Sequence, residues 1–320
     1  MMISTWMLFA FGAMFGWGLG QGFTKKYIND VSGTKFCLYF VAAVSAVNLV
    51  IWAANGSPNP FYTEAGEFEA GFVAFGTLSY IFDGVAWAAY FICIKYAPIT
   101  IVGTVSAAYP AIVMAVLYFW IGQDPSPIMW AGGVLVVLGC IGLGFTPKSA
   151  IDEAVDNSHV VPRIWIPLAV LAAVAWGFAF SFLGYTFSDA AGFEGAEGAD
   201  IYPLMAIGDA LVMVPFAFFA GRKTDTHSFK GIKLAAIPMI FFALGNACMP
   251  LANSFDTEGL YGGLIAAISA AYPMVTLGFA YVFLKERIIA FHWYAVSVVM
   301  AGIMVCTGAV GLIMDYLGSW

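Results

Sequence analysis

Two carboxylates stand inside long apolar stretches. Asp83 lies in Tyr80-Ile81-Phe82-Asp83-Gly84, and Asp209 lies in Ala206-Ile207-Gly208-Asp209-Ala210. An ionised carboxylate in such surroundings costs several kcal/mol unless it is paired, protonated or in contact with water, so Asp83 is expected to face a cavity. The chemistry open to it is proton acceptance, or counter-charge for an amine or hydroxyl. Asn246 sits in a comparable apolar context and would add both donors and an acceptor. Asp209 is the secondary candidate. Tyr80, in the same stretch as Asp83, joins the candidate set.

Two short stretches and two single residues recur. Ser106-Ala107-Ala108-Tyr109-Pro110 returns as Ser269-Ala270-Ala271-Tyr272-Pro273 at an offset of 163, and Trp130 and Gly139 match Trp293 and Gly302 at the same spacing. Gly16-Trp17-Gly18 returns as Ala175-Trp176-Gly177 at 159, and the offset of 163 carries Asp83 onto Asn246. Together these matches indicate a duplication. Trp17, Trp176, Tyr109 and Tyr272 are therefore candidates for an aromatic cage that stacks on a ring or holds an ammonium by cation–π attraction, with core packing as the alternative for each. Pro110 and Pro273 each remove a backbone hydrogen bond, which offers a bend for gating and frees a carbonyl.

These residues require elements that span lipid. Of 320 residues, 62% are apolar and only 10% charged, far below the roughly 25% of soluble domains, which excludes a soluble chain. Apolar segments cover residues 5 to 23, 36 to 54, 70 to 94, 99 to 121, 128 to 145, 164 to 185, 201 to 220, 232 to 252, 260 to 284 and 288 to 313. At about 20 residues per span, this makes ten transmembrane helices, called spans 1 to 10. Their runs are continuous and lack the alternation of a β-barrel. The expected fold is all-α and integral to the membrane, with residues 1–148 as a first five-helix repeat, 149–163 as a cytoplasmic linker and 164–320 as a second. Five is odd, so the two repeats are inverted, the arrangement that lets two halves exchange shapes and open a central site to each side in turn.

All twelve Lys and Arg flank odd-numbered connections: Lys25, Lys26 and Lys35; Lys95; Lys148 and Arg163; Arg222, Lys223, Lys230 and Lys233; Lys285 and Arg287. Because cations resist translocation, those connections are expected to be cytoplasmic and both termini outside. Glu64, Glu67, Glu69, Asp189, Glu194, Glu197 and Asp200 form an acidic opposite rim, read as solvation of an exposed face. Span 1 has no basic residue before it and is read as part of the mature protein rather than a signal peptide. Gly12, Gly16 and Gly20 in span 1, and Gly132, Gly139 and Gly142 in span 5, are read as close-packing positions. Cys37, Cys93, Cys140, Cys248 and Cys306 form no CxxC pair and are read as packing residues.

The Gly16-Trp17-Gly18 stretch followed by Lys25, the two Tyr-Pro pairs, and Leu284-Lys285-Glu286-Arg287 before Trp293 resemble the drug/metabolite transporter superfamily, specifically its EamA-type ten-helix members. The resemblance implies a bundle in which spans 1, 3, 4, 6, 8 and 9 surround a central cavity and spans 5 and 10 pack at the back. It also makes span 7, which carries Asp209, peripheral. Two departures stand out: a Gly122-Gln123-Asp124 turn where the family has a Gly-Glu-Arg-like one, and Tyr39 near a place often held by Arg. Family members are commonly drawn with cytoplasmic termini, opposite to the charge segregation.

No cation lies near the middle of any span, which disfavours phosphorylated substrates. His159, His227 and His292 sit in or beside connections. With no HExxH and no P-loop, zinc proteolysis and ATP-driven pumping lack their residues, and no cofactor or metal is expected. The expected activity is secondary transport of a small neutral or cationic metabolite, such as an amino acid or amine, by alternating access. The partners expected are that small molecule, the lipid bilayer of the cell membrane and protons as coupling ions, with no nucleic acid and with homo-oligomerisation left open. A sugar porter of the same fold is the alternative. An intramembrane enzyme would need a reactive pair such as two close carboxylates or Cys with His, and Asp83 and Asp209, the only buried acids expected, fall on helices not expected to touch. A sealed core would favour a scaffold.

Overall fold

A computed structural model of the chain describes residues 5–56, 59–62, 67–121, 126–144, 164–187, 198–221, 229–255, 262–286, 290–311 and 313. The 149–163 linker, Glu64, Asp189, Glu194, Glu197, Lys148, Arg163, Arg222, Lys223, Arg287, the Gly122-Gln123-Asp124 turn, His159 and His227 lie outside the described residues. The described part is helical: α1 (Thr5–Tyr27), α2 (Gly33–Ala54), α3 (Ala70–Cys93), α4 (Ile99–Ser106), α5 (Tyr109–Val116), α6 (Pro127–Gly144), α7 (Trp165–Thr186), α8 (Ile201–Gly221), α9 (Phe229–Ser254), α10 (Gly262–Ala270), α11 (Tyr272–Phe279) and α12 (Ala290–Cys306). Wider π-helical turns, Leu117–Ile121 and Ala280–Leu284, extend α5 and α11.

Seven helical segments among the described residues are long and apolar enough to cross a membrane, and α6 and α12 are shorter apolar helices. The protein is a multi-pass integral membrane protein. In lipid a helix satisfies its own backbone, so these segments need no partner for their N–H and C=O groups. The 23-residue α1 falls short of that apolarity because its inner half carries Gly16, Gly18, Gly20, Gly22 and Gln21. Its glycines admit neighbours closely. A methyl group at Gly16 would sit 2.6 Å from Gly245 Cα and 2.8 Å from Phe241 O of α9, and one at Gly18 would meet Val275 and the Tyr272 carbonyl of α11. Gly132 and Gly139 of α6 press on Cys306 and Val299 of α12 in the same way, while Gly142 touches only the Phe291 ring at 3.7 Å.

The interhelical contacts are dominated by α1 with α9, α3 with α7, α6 with α12, α3 with α8 and α2 with α8. The Ser-Ala-Ala-Tyr-Pro repeats are where two helices break. α4 ends at Ser106 and α5 begins at Tyr109; α10 ends at Ala270 and α11 begins at Tyr272. Each proline thus stands in the first turn of a new helix, where its missing N–H leaves no internal bond unmade.

Three cysteines, Cys37, Cys93 and Cys306, are buried; Cys140 and Cys248 are half-buried. His292 lies in the first turn of α12, buried, with neither ring nitrogen bonded among the described residues.

Candidate functional site

The middle of the bundle is built from two indole clasps. From α1, the Trp17 indole Nε1 donates to Asn246 Oδ1 of α9 at 2.6 Å; from α7, Trp176 Nε1 donates to Asp83 Oδ1 of α3 at 2.8 Å. Tryptophan suits this place because its ring fills apolar volume while its single N–H can reach one buried acceptor. Asp83 is 7% exposed. The Asn246 side-chain Nδ2 has no acceptor among the described residues, which leaves its amide donors unused in a residue that lines the central cavities.

The tyrosines stand beside the clasps. Tyr272 Oη lies 3.1 Å from Ser106 Oγ and 3.3 Å from the Gly103 carbonyl, and its ring meets the Trp17 ring edge-on at 6.3 Å. Tyr109 approaches Ser269, and its ring stacks on Phe180 at 4.7 Å. Pro110 and Pro273 follow these tyrosines directly, so the breaks in α4–α5 and α10–α11 fall where the tyrosine rings enter the centre. The Ser79 hydroxyl donates to Ala179 O at 2.8 Å and ties α3 to α7 one turn from Asp83. Gln21 was missed by sequence reasoning. It is buried in α1 and accepts from Tyr90 Oη at 2.7 Å. A glutamine in the glycine-rich half of a spanning helix was the available signal.

Two small cavities share Trp17, Asp83, Phe180 and Asn246 as walls. One adds Ser79, Tyr80 and Met205, the other Gln21, Trp87, Tyr109, Trp176 and Tyr272. Each has room for roughly one water molecule. All of Asp83, Asn246, Trp17, Trp176, Tyr109, Tyr272 and Tyr80 meet at these two cavities.

Asp209 corrects the expectation that its helix does not touch that of Asp83. It is 1% exposed, α8 packs directly on α3, and the Asp209 carboxyl lies at hydrogen-bonding range of the Asp83 carboxyl. Glycines at the crossing make this possible. A methyl at Gly84 would touch Asp209 Cα at 3.4 Å, and one at Gly208 would run into Tyr80 Cβ at 2.6 Å and the Thr77 carbonyl at 2.8 Å. The two helices expected not to touch therefore bring the acids together, which meets the geometric condition for acid–base chemistry. Nor are these the only buried acids: Asp200 and Glu286 are buried too.

Glu286 belongs to a second cluster, at the end of the bundle where α1 finishes. Lys25 Nζ donates to the Ile94 and Ala97 carbonyls at 2.6 and 2.8 Å, so a cation sits on the carbonyl end of α3. The Glu286 carboxyl accepts from Ile99 N at 3.2 Å and Thr100 Oγ1 at 3.4 Å, and so caps the amide end of α4 from a distant part of the chain. Lys285, with φ at 58°, turns the chain to aim it there. Burial pushes the Glu286 carboxyl above its ordinary value, opposed by the Lys25 charge and by the hydrogen bonds from Ile99 and Thr100. At the offset of 163 Glu286 falls on Gln123, and at 159 Lys25 falls on Gly184, so neither charge recurs at those offsets.

Residues 4–145 match the EamA-like transporter family. No curated protein matches the chain. Fifteen solved chains do, among them a protein crystal structure with a TM-score of 0.62 at 16% identity, covering 95% of this chain and 96% of that one. At that identity the likeness concerns the fold alone.

Proposed function

We propose, from the match of residues 4–145 to the EamA-like transporter family, that this chain is a secondary transporter of a small amine, amino acid or similar neutral or cationic metabolite. Asp83 carries the proposal. It is an acid at mid-helix, on the wall of both central cavities, held by an indole N–H, and among the described residues no cation acts on it. A substrate ammonium fits that charge, Asn246 Nδ2 offers a donor, and Trp17, Trp176, Tyr109 and Tyr272 provide rings on which a cation or an aromatic group can rest.

Transport proceeds by alternating access between two inverted five-helix halves of a ten-span bundle. Supporting this, the two indole clasps sit at the repeat offsets of 159 and 163. The packing of α1 on α9 is mirrored by that of α7 on α3, and α6 and α12, one from each half, pack on one another. A centre with room for little more than water is then the closed state through which such a carrier passes, and admission of substrate requires the breaks at Tyr109-Pro110 and Tyr272-Pro273 to bend. The Lys25–Glu286 end is cytoplasmic and both termini are external in this reading, which the segregation of Lys and Arg supports.

A thermal-shift screen of the purified full-length protein against amines, amino acids and sugars tests this, because a ligand that binds the folded state raises its apparent stability. Amines or amino acids are expected to raise the melting temperature of wild type and not of Asp83→Asn. A shift with sugars alone overturns the substrate class. The Asp83–Asp209 contact favours one second reading, an intramembrane acid–base enzyme. Conversion of a binding amine to product during the same incubation would select it.

A further inference from the structure

Asp209 presents an accounting problem. Both of its oxygens are buried, and among the described residues neither receives an N–H or O–H donor; what they face is another carboxyl. Two ionised carboxylates at this range in apolar surroundings are not tolerated, and a hydrogen bond between two carboxyls exists only when one of them holds a proton. We propose that Asp83 and Asp209 form one acid pair that holds a single exchangeable proton across the α3–α8 crossing, with Asp209 as the proton carrier and Asp83 as the acceptor.

The assignment within the pair follows from the donors. Trp176 Nε1 donates to Asp83 Oδ1, so negative charge is stabilised on Asp83. Asp209 has no such help and can be satisfied only by donating. The titratable groups next to the pair are Tyr80 of α3 and Tyr109 of α5; Tyr202 of α8 neighbours Tyr80 and donates to Ala247 O, α7 contributes Trp176, and α2, packed on the other side of α8, presents Asn48, which donates to Met205 Sδ at 3.1 Å. None of these is a cation, so none can replace the proton.

The inference rests on the placement of Asp83 at the transport site and extends that site to a helix outside the central ring. Its consequence is mechanical. Loss of the proton sets two negative charges face to face where Gly84 and Gly208 hold the backbones in contact, so the crossing must open to water or admit a cation before the proton leaves.

The test is infrared spectroscopy of the full-length protein in lipid nanodiscs, with aspartate carrying a carbon-13 label so that its protonated carboxyl band is separable from that of glutamate. Wild type is expected to show a protonated aspartic acid band at neutral pH that disappears in one step on alkalinisation. Asp83→Asn should keep the band and Asp209→Asn should lose it. A wild type without the band, a band lost in Asp83→Asn but kept in Asp209→Asn, or a band abolished by sodium and not by choline would each overturn the proposal. If Asp209→Asn does not fold, the wild-type titration decides alone, and two steps rather than one contradict a shared proton. No substrate or flux enters the readout, so a failure of the transport proposal leaves this result standing and is recognised separately.

Discussion

Replacing Gly16 by Ala tests whether close approach of α1 and α9 sets the site. The added methyl would lie 2.6, 2.7 and 2.8 Å from Gly245 Cα, Gly245 N and Phe241 O, all backbone atoms that cannot swing aside. Relief to an ordinary contact needs the helices to part by roughly 1 Å, and the adjoining Trp17–Asn246 hydrogen bond, 2.6 Å long, then exceeds bonding range. Overpacking costs about 1–3 kcal/mol and the lost bond about 1 kcal/mol, offset by about 1 kcal/mol from the better helix propensity of Ala. The net loss is about 1–3 kcal/mol. Thermal unfolding in detergent should show a fall of roughly 2–10 °C, with quenching of Trp17 fluorescence altered. Gly12→Ala is the control, since its methyl meets only the Cys248 side chain, Sγ at 2.8 Å, which can rotate away. A Gly16→Ala protein as stable as Gly12→Ala would refute the reasoning.

Trp176→Phe keeps a ring against Trp87, 4.9 Å away, but leaves Asp83 Oδ1 without its donor, and should destabilise by about 1–3 kcal/mol in the same melt. An unchanged melt would mean that the indole N–H is not what satisfies Asp83. Glu286 supplies a pH dependence. Its carboxyl is raised by burial, so the stability it contributes to the closed end is full below the ordinary glutamate range and is lost as pH rises through the raised value. Hydrogen exchange of the Ile99 and Thr100 amides, corrected for its intrinsic pH dependence, should therefore quicken with pH in wild type and become pH-independent in Glu286→Gln. A pH response that survives in Glu286→Gln assigns it to another group.

Much of the centre was legible in the chain. Asp83 was marked by an acid in apolar surroundings, Asn246 by the repeat register, and Trp17 and Trp176 by matching places in the two halves. What the sequence left unsaid was that each indole closes on the polar residue, because register names equivalent positions and not partners. Asp209 was placed on the periphery by the resemblance, whereas Gly84 beside one acid and Gly208 beside the other are the small residues that let α3 and α8 approach. The Lys25–Glu286 end was hidden for a different reason. Both residues cap helices far away in sequence, and capping across such distances leaves no local spacing to read.

The central claim is that Asp83 carries transport. Uptake of the amine or amino acid that stabilises the purified protein, measured in proteoliposomes across a series of pH values, tests it most directly. Wild type should show pH-dependent flux, and Asp83→Asn, still folded by its melt, should lose that dependence with most of the flux. Flux and pH profile unchanged in Asp83→Asn would contradict the account.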